Sequence, residues 1–450
     1  MSSFDGPRKD TIESLQKQID FHVVEANRLK YVRNSHVAVS LLPPELLSEV
    51  FLYVVEFGQK GNTRFAPGTF GFLQVCRGWN EVAIGFPQLW GFWVAGAAKA
   101  WSLFNSRSKG GPLSLTWRYR LPRSARDALT DPDIPGRTRQ LDFNGFSDQL
   151  DHFLGIFDSS PPSDVLSIRL QITQRGDSES RERLDRLLFS SFPKLSKLNA
   201  GNFLPKPPSP IFTTSKLTSL KLFVPYGERS RYNLVQFSRI LRHHPTLQEL
   251  DLNHGAIPLP GRSGDLVPFV LPRLTNFRLH GTKGSIFGLI DLIGMSPPLH
   301  NVLIRFTPIP KSTTPVLTSI MEKILVAYYG CQGLDHPRKI DNLAISKDLI
   351  FDARSPTSNL KLQFQSGYEV AWHNVVEESL TFIHSSDIQE FTIEGLPLSR
   401  RMLEEMKCLS HLRLCGQVDK DIDWSFDVLA FSRGVSTKSP VRIFNSYTRV

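Results

Sequence analysis

Leu217-Thr-Ser-Leu-Lys-Leu222 and, 30 residues on, Leu247-Gln-Glu-Leu-Asp-Leu252 spell one pattern. An apolar residue is followed by two variable ones, a second apolar residue, one variable residue and a third apolar one. The last two apolar positions alternate, as they do in a strand that buries one face. Working outward, the pattern recurs at Val165/Ile168/Leu170, Leu195/Leu198/Ala200, Leu274/Phe277/Leu279 and Leu299/Val302/Ile304. Later copies stand at Ile340/Leu343/Ile345, Ile388/Phe391/Ile393 and Leu409/Leu412/Leu414, and a weaker early copy at Thr138/Leu141/Phe143. From Thr138 to Leu299 the successive starts are 27, 30, 22, 30, 27 and 25 residues apart. Pro112-Leu-Ser-Leu-Thr-Trp117 reads as a further strand.

Helical periodicity fills the gaps, at Ser147–Phe157, Arg181–Phe189, Asn233–His243, Ile286–Met295, Thr314–Tyr328, Asn374–His384 and Ser399–Lys407. Proline sits beside the first apolar residue of several strands, in Phe192-Pro-Lys-Leu195, His244-Pro-Thr-Leu247 and Pro297-Pro-Leu299. There it ends a helix and starts an extended segment. A period of 20–30 residues with such strands and alternating helices resembles leucine-rich repeats. The resemblance covers about residues 138–416 and implies an α/β solenoid, with parallel strands on a concave face and helices on a convex face. The asparagine that usually follows the strand is mostly missing, and repeat boundaries are indistinct between 307 and 387. Residues 417–450 read as a cap or tail, and 93–137 as a linker with the first strands.

The N-terminal part has a different character. Residues 1–40 hold one amphipathic helix, in which Ile12, Leu15, Ile19, His22, Ala26 and Leu29 recur at alternating spacings of three and four. That is the a/d seam of a coiled coil. With His22 and Ala26 weak in a seam, docking of one helix on the next domain is the simpler expectation. Then comes Leu41-Leu-Pro-Pro-Glu-Leu-Leu-Ser-Glu-Val-Phe-Leu52, where proline suits a first helical turn and Leu46, Leu47, Val50, Phe51 and Val54 share an apolar face. After a Gly/Pro/Thr-rich loop, Phe72, Leu73, Val75, Cys76, Trp79, Val82 and Ala83 mark a second amphipathic helix, with Cys76 as a small buried hydrophobe. So small a helical unit cannot bury all of this, and surplus apolar surface points to a partner.

Leu42-Pro-Pro-Glu-Leu46, Val50-Phe51, Val75-Cys-Arg-Gly-Trp79 and Pro87-Gln-Leu-Trp90 resemble, in order, an F-box of the fungal type over residues 41–92. The loop from Glu56 to Thr69 is longer than in a minimal F-box, and Gly78 is a poor residue for a helix interior. The resemblance implies a mainly α domain that docks on a Skp-type adaptor subunit, and through it on cullin and RING subunits. The chain would then be the substrate receptor of an SCF-type ubiquitin ligase, with the repeats holding a protein substrate. The alternative is a non-ligase interaction scaffold built on the same repeats. The residues implied in adaptor binding are Leu42, Pro43, Leu46, Val50, Phe51, Val75, Trp79, Leu89 and Trp90, each weighed against internal packing of the F-box.

Alternation along the repeat strands turns Lys221, Phe223, Glu249, Asp251, Arg278, His280 and Arg305 to the face opposite the core, as candidate substrate contacts. The 450 residues carry a net charge of +10, and residues 161–310 alone hold nineteen Lys/Arg against ten Asp/Glu. This excess suits an acidic or phosphorylated ligand, although Glu249 and Asp251 argue against a uniform phosphate-binding face. Basic residues interspersed with acids disfavour nucleic acid.

Four scattered cysteines give no disulfide framework, and no apolar run approaches the roughly 20 residues that span a bilayer. An intracellular protein of cytoplasm or nucleus is expected, with no membrane partner. Cys408, His411 and Cys415 lie close in sequence but lack a fourth ligand, so no metal centre is expected. His243-His244 reads as a cation favoured by a helix C-terminus. No nucleophile, phosphate-loop or dinucleotide motif occurs, so neither catalytic residues nor a cofactor is expected.

Overall fold

In a computed structural model, the chain divides into two compact units, residues 1–162 and 163–450. The structure describes residues 6–61, 67–94, 101–118, 131–157 (132 and 156 aside), 164–173, 184, 192–205, 209–213, 216–224, 232–258, 267–293 and 299–306. Further on it describes 318–325 (320 aside), 342–346, 350–354, 359–364, 388–394, 408–415 and 442–446. The helices expected over 374–384 and 399–407, and all but Leu184 of that over 181–189, lie outside these residues.

The first unit begins with a long helix, α1 (Gly6–Ser35). A 3-10 turn at Ala38–Leu41 leads into α2 (Pro44–Gly61), with Pro44 opening the helix where its missing N–H costs nothing. A second 3-10 segment, Pro67–Gln74, precedes α3 (Arg77–Gly85), and a third, Pro87–Gly91, leads into β1 (Phe92–Val94). The rest of the unit is α4 (Trp101–Arg107), β2 (Leu113–Arg118), α5 (Asp133–Arg137), β3 (Thr138–Gly145) and α6 (Ser147–Gly155). The strands β1, β2 and β3 pair in that order and are parallel. Arg137 fastens this region, donating to Asn105 Oδ1 at 2.6 Å, Ser108 Oγ at 2.5 Å and the Gly111 carbonyl at 3.0 Å.

The second expected helix of the N-terminal region is shorter than its apolar pattern suggests. Phe72 and Leu73 belong to the 3-10 segment, and α3 starts only at Arg77. Cys76 is therefore not a core residue of a helix face. It is half-buried and caps α3, its sulfur accepting from the Trp79 N–H at 3.5 Å. Gly78 consequently falls in the first turn, outside the helix interior.

The second unit carries β4 (Ser167–Ile172), β5 (Lys197–Gly201), β6 (Ser219–Val224), α7 (Leu234–Arg242), β7 (Glu249–His254), β8 (Asn276–Gly281), α8 (Lys283–Ile293) and β9 (Asn301–Phe306). The remaining strands are β10 (Asn342–Ser346), β11 (Ile350–Arg354), β12 (Asn359–Phe364), β13 (Glu390–Glu394), β14 (His411–Cys415) and β15 (Arg442–Ser446). They form one sheet in the order β4-β5-β6-β7-β8-β9-β12-β11-β10-β13-β14-β15, mostly parallel and not closed into a barrel.

Each repeat strand begins two residues after the first apolar position. That first residue points inward, and Leu195, Leu217, Leu247, Leu274 and Leu299 are all buried. The carbonyl just after it accepts two N–H groups from the next repeat. Ser196 O takes Thr218 and Ser219, Thr218 O takes Gln248 and Glu249, and Gln248 O takes Thr275 and Asn276. Hydroxyls reinforce the same step, with Thr218 Oγ1 donating to Ser196 O at 3.1 Å and Thr275 Oγ1 to Gln248 O at 3.0 Å. The alternating residues Leu220/Leu222, Leu250/Leu252 and Phe277/Leu279 pack on the core side. Helix α7 covers part of that side with Leu234, Phe237, Ile240 and Leu241, and a reciprocal cap between Asn233 and Gln236 sets its start.

Two expectations need correction. The sheet is not wholly parallel, because β10-β11 and β11-β12 are antiparallel, with β12 beside β9 and β10 beside β13. A meander thus occupies the stretch where no repeat boundary was legible. His244 is not a cation at a helix end. It is buried, and its Nδ1 accepts from the Leu217 N–H at 3.4 Å, which requires the neutral ring. Burial, with His243 beside it, holds His244 down at about 4.

Candidate functional site

The candidate site within residues 41–92 is built on α2, which carries two adjacent apolar stripes. Leu47, Phe51 and Val55, four residues apart, are buried. Phe51 stacks on Phe72 with ring centroids 4.3 Å apart and meets Trp79 at 5.3 Å. The neighbouring stripe, Leu46, Val50 and Val54, has the same spacing and faces outward, with Leu46 54% and Val50 45% exposed. A helix whose apolar residues cover more than one stripe cannot bury them all against one small core.

The nine sequence-derived adaptor residues therefore separate. Pro43, Leu46, Val50 and Val75 are exposed, and Leu42 and Trp79 are half-buried. Phe51, Leu89 and Trp90 are core residues, a correction to the sequence assignment. The Trp90 ring stacks on Phe70, meets Phe104 edge-on, and lies under the Arg107 guanidinium at 4.4 Å. Three further exposed apolar residues were missed as site candidates: Leu41, Tyr53 and Val54. The signal for Tyr53 was its place seven residues after Leu46, two helical turns along the same face.

The seven candidates on the repeat strands come together on one sheet face, as alternation predicts. Lys221, Asp251 and Arg278 lie in register across β6, β7 and β8, and Phe223, Asn253, His280 and Arg305 form the next row. The charges of the first row are compensated on the same face, partly by Glu249 of the row beside it. Lys221 Nζ sits 2.7 Å from Glu249 Oε1, and Ser219 Oγ donates to Glu249 Oε2 at 2.9 Å. Arg278 is 4.0 Å from Asp251.

The two acids respond oppositely to this setting. Burial works against ionisation of Glu249, but hydrogen bonds from Lys221 and Ser219 outweigh it and hold the carboxyl below its usual range. For Asp251 burial prevails and pushes it up, with the Glu249 charge acting in the same sense, against the Arg278, Lys221 and Arg305 charges that favour ionisation. The second row ends in an aromatic cluster, with the His254 and His280 rings 4.0 Å apart and Phe223 edge-on to His254 at 6.5 Å. Burial, with His254 and Arg305 nearby, holds His280 at about 4, so at neutral pH it is an uncharged aromatic donor and acceptor. The acidic-ligand expectation weakens accordingly: Lys221 and Arg278 face carboxylates of their own, and His280 adds no charge.

Among the described residues no group of three or more His, Cys, Asp or Glu side chains could hold a metal ion, and no helix is long and apolar enough to cross a membrane. No family model and no curated protein matches the chain. Among solved structures it is similar to one described as the crystal structure of the Rad7 and Elc1 complex in yeast. The identity is 11%, covering 99% of this chain and 98% of that chain, and the TM-score is 0.32, too low a likeness to transfer fold or function.

Proposed function

We propose that the chain is a non-catalytic substrate-recognition subunit of an SCF-type cullin–RING ubiquitin ligase. In this reading residues 41–92 are an F-box that binds a Skp-type adaptor, and the sheet of the second unit is a leucine-rich-repeat-like solenoid that holds a protein substrate. The observation that carries the proposal is the exposed stripe Leu46, Val50 and Val54 on a helix whose other stripe is core. Apolar side chains placed in water beside a complete core are explained by a partner that covers them. The resemblance of the ordered anchors in residues 41–92 to an F-box implies the adaptor as that partner. The subunit would act by holding substrate lysines near the ubiquitin-loaded enzyme, which raises their effective concentration. The substrate-facing surface would combine compensated charge rows with the Phe223, His254 and His280 cluster, which suits a mixed polar and aromatic epitope.

The test is binding of a recombinant Skp-type adaptor to the full chain, comparing wild type with Leu46→Asp and Val50→Asp. Both side chains are outside the core, so the variants should keep the wild-type melting temperature and lose adaptor affinity at least tenfold, about 1.4 kcal/mol. A folded wild-type chain that binds no adaptor overturns the proposal. Adaptor binding without recovery of cullin would instead identify the non-ligase scaffold.

A further inference from the structure

We infer that α1 pairs with α1 of a second copy of the chain as a parallel two-stranded coiled coil. Over residues 10–33 almost every side chain of α1 faces solvent, and Ile12, Leu15, Ile19 and Leu29 are each more than half exposed. The expected docking of this helix on the next domain is therefore not what the chain does over those residues. Its last turn approaches the residues just before α3, where Asn34 Nδ2 donates to the Val75 carbonyl at 3.5 Å.

Three features commit the occupant to a second copy of the helix. The seam repeats at alternating three and four through Ile12, Leu15, Ile19, His22, Ala26 and Leu29, which is the periodicity of a helix facing another helix rather than a sheet or a groove. Its chemistry selects two parallel strands, because the a positions include the β-branched Ile12 and Ile19 while the d positions include Leu15 and Leu29. The flanks agree. In this register Glu25 is a g position and Lys30 the e position five residues later, which a parallel pair sets across the interface from each other. An antiparallel pair sets g against g and e against e, and separates them. Glu25 is meanwhile oriented by Arg28 at 2.7 Å on its own helix. Val23 at e and Val32 at g widen the apolar seam, while Phe21, Val24 and Tyr31 lie off it and remain on the outer surface of the pair.

His22 and Ala26 place the weakest layers in the middle of the seam. The pair is thus a reversible one, in which His22 marks the register as an isolated polar seam residue does in other coiled coils. Dimerisation makes the chain bivalent for whatever its second unit binds.

Sedimentation equilibrium of the full chain over a concentration series tests this. The expected mass at high concentration is twice the 50.9 kDa of the chain. Ile19→Asp should return the monomer at concentrations where wild type is dimeric, Phe21→Ala should leave the dimer unchanged, and His22→Leu should tighten it several-fold. Leu29→Cys should form an interchain disulfide under mild oxidation that wild type does not. In an antiparallel pair with Leu29 opposite Ile12 the two thiols would stand roughly 25 Å apart, at 1.5 Å per residue. A wild-type monomer throughout the series overturns the inference, as does a dimer indifferent to Ile19→Asp. A dimer that Leu29→Cys cannot cross-link overturns the parallel arrangement.

Discussion

The indole Nε1 of Trp90 donates to the Ala83 carbonyl at 2.8 Å, tying the 3-10 turn after α3 back to the last turn of that helix. This bond makes Trp90 a structural residue despite its place in an F-box-like motif. Trp90→Ala should lower stability by about 3–5 kcal/mol, the usual cost of deleting a buried large aromatic. Trp90→Phe should cost less, about 1–3 kcal/mol, through the lost hydrogen bond and the unpaired carbonyl. Chemical denaturation of both variants checks the ranking. A Trp90→Ala chain as stable as wild type would place the residue outside the core.

Two glycines of the same region should respond to alanine in opposite directions. At Gly78 an added Cβ meets nothing within 4 Å, and the residue is helical, so Gly78→Ala should stabilise by roughly 0.5 kcal/mol. At Gly91 the added Cβ would clash with the Pro112 carbonyl oxygen, and backbone must move to admit it. Gly91→Ala should destabilise by about 1–3 kcal/mol. Melting temperatures that shift in the same direction would contradict this account.

His244 makes stability depend on pH in a definite sense. Its folded value, about 4, is depressed from an unfolded value near 6.5. Between those values the unfolded chain binds the extra proton, so its contribution is full above pH 6.5 and is lost as pH falls toward 4. The loss is about 3 kcal/mol at most for a shift of this size. The partly exposed His280, also held at about 4, works in the same direction. His244→Gln should give a shallower decline of unfolding free energy between pH 6.5 and 4 than wild type. An unchanged slope would mean that His244 titrates normally in the folded chain.

Lys221 and Glu249 pair across adjacent strands in a half-buried setting. A double-mutant cycle on Lys221→Met and Glu249→Gln should give a coupling of about 0.5–1 kcal/mol, which shrinks in high salt. A coupling of zero would assign Glu249 to Ser219 alone.

Much of the second unit was legible because one rule, the apolar triplet, carries both strand and facing. Leu217-Thr-Ser-Leu-Lys-Leu222 predicts the strand, its buried side and the opposite face of Lys221. The strands β11 and β12 were illegible because Ile350-Phe-Asp-Ala-Arg354 and Asn359-Leu-Lys-Leu-Gln-Phe364 lack the leading leucine that announces a repeat. Strand β15, Arg442–Ser446, lacks it too, and it pairs with β14 beyond the last triplet. On α2 the sequence shows apolar residues at 46, 47, 50, 51, 54 and 55, and periodicity alone does not say which of two adjacent stripes is core. Packing on Phe72 decides it. The role of Cys76 is not legible in the sequence because capping depends on where a helix starts, and a 3-10 segment has nearly the same apolar spacing as the turn it replaces.

The meander of β10, β11 and β12 has a consequence in terms of parity. Three strands with two reversals leave both outer strands running the same way, so β9 and β13 each meet a neighbour of their own direction. The sheet can therefore gain or lose two strands at this one place while every strand beyond keeps its orientation and its buried side. Growth by a single strand here would turn all the rest around. The meander is thus a place at which the width of the sheet is adjustable without rewriting the sequence that follows.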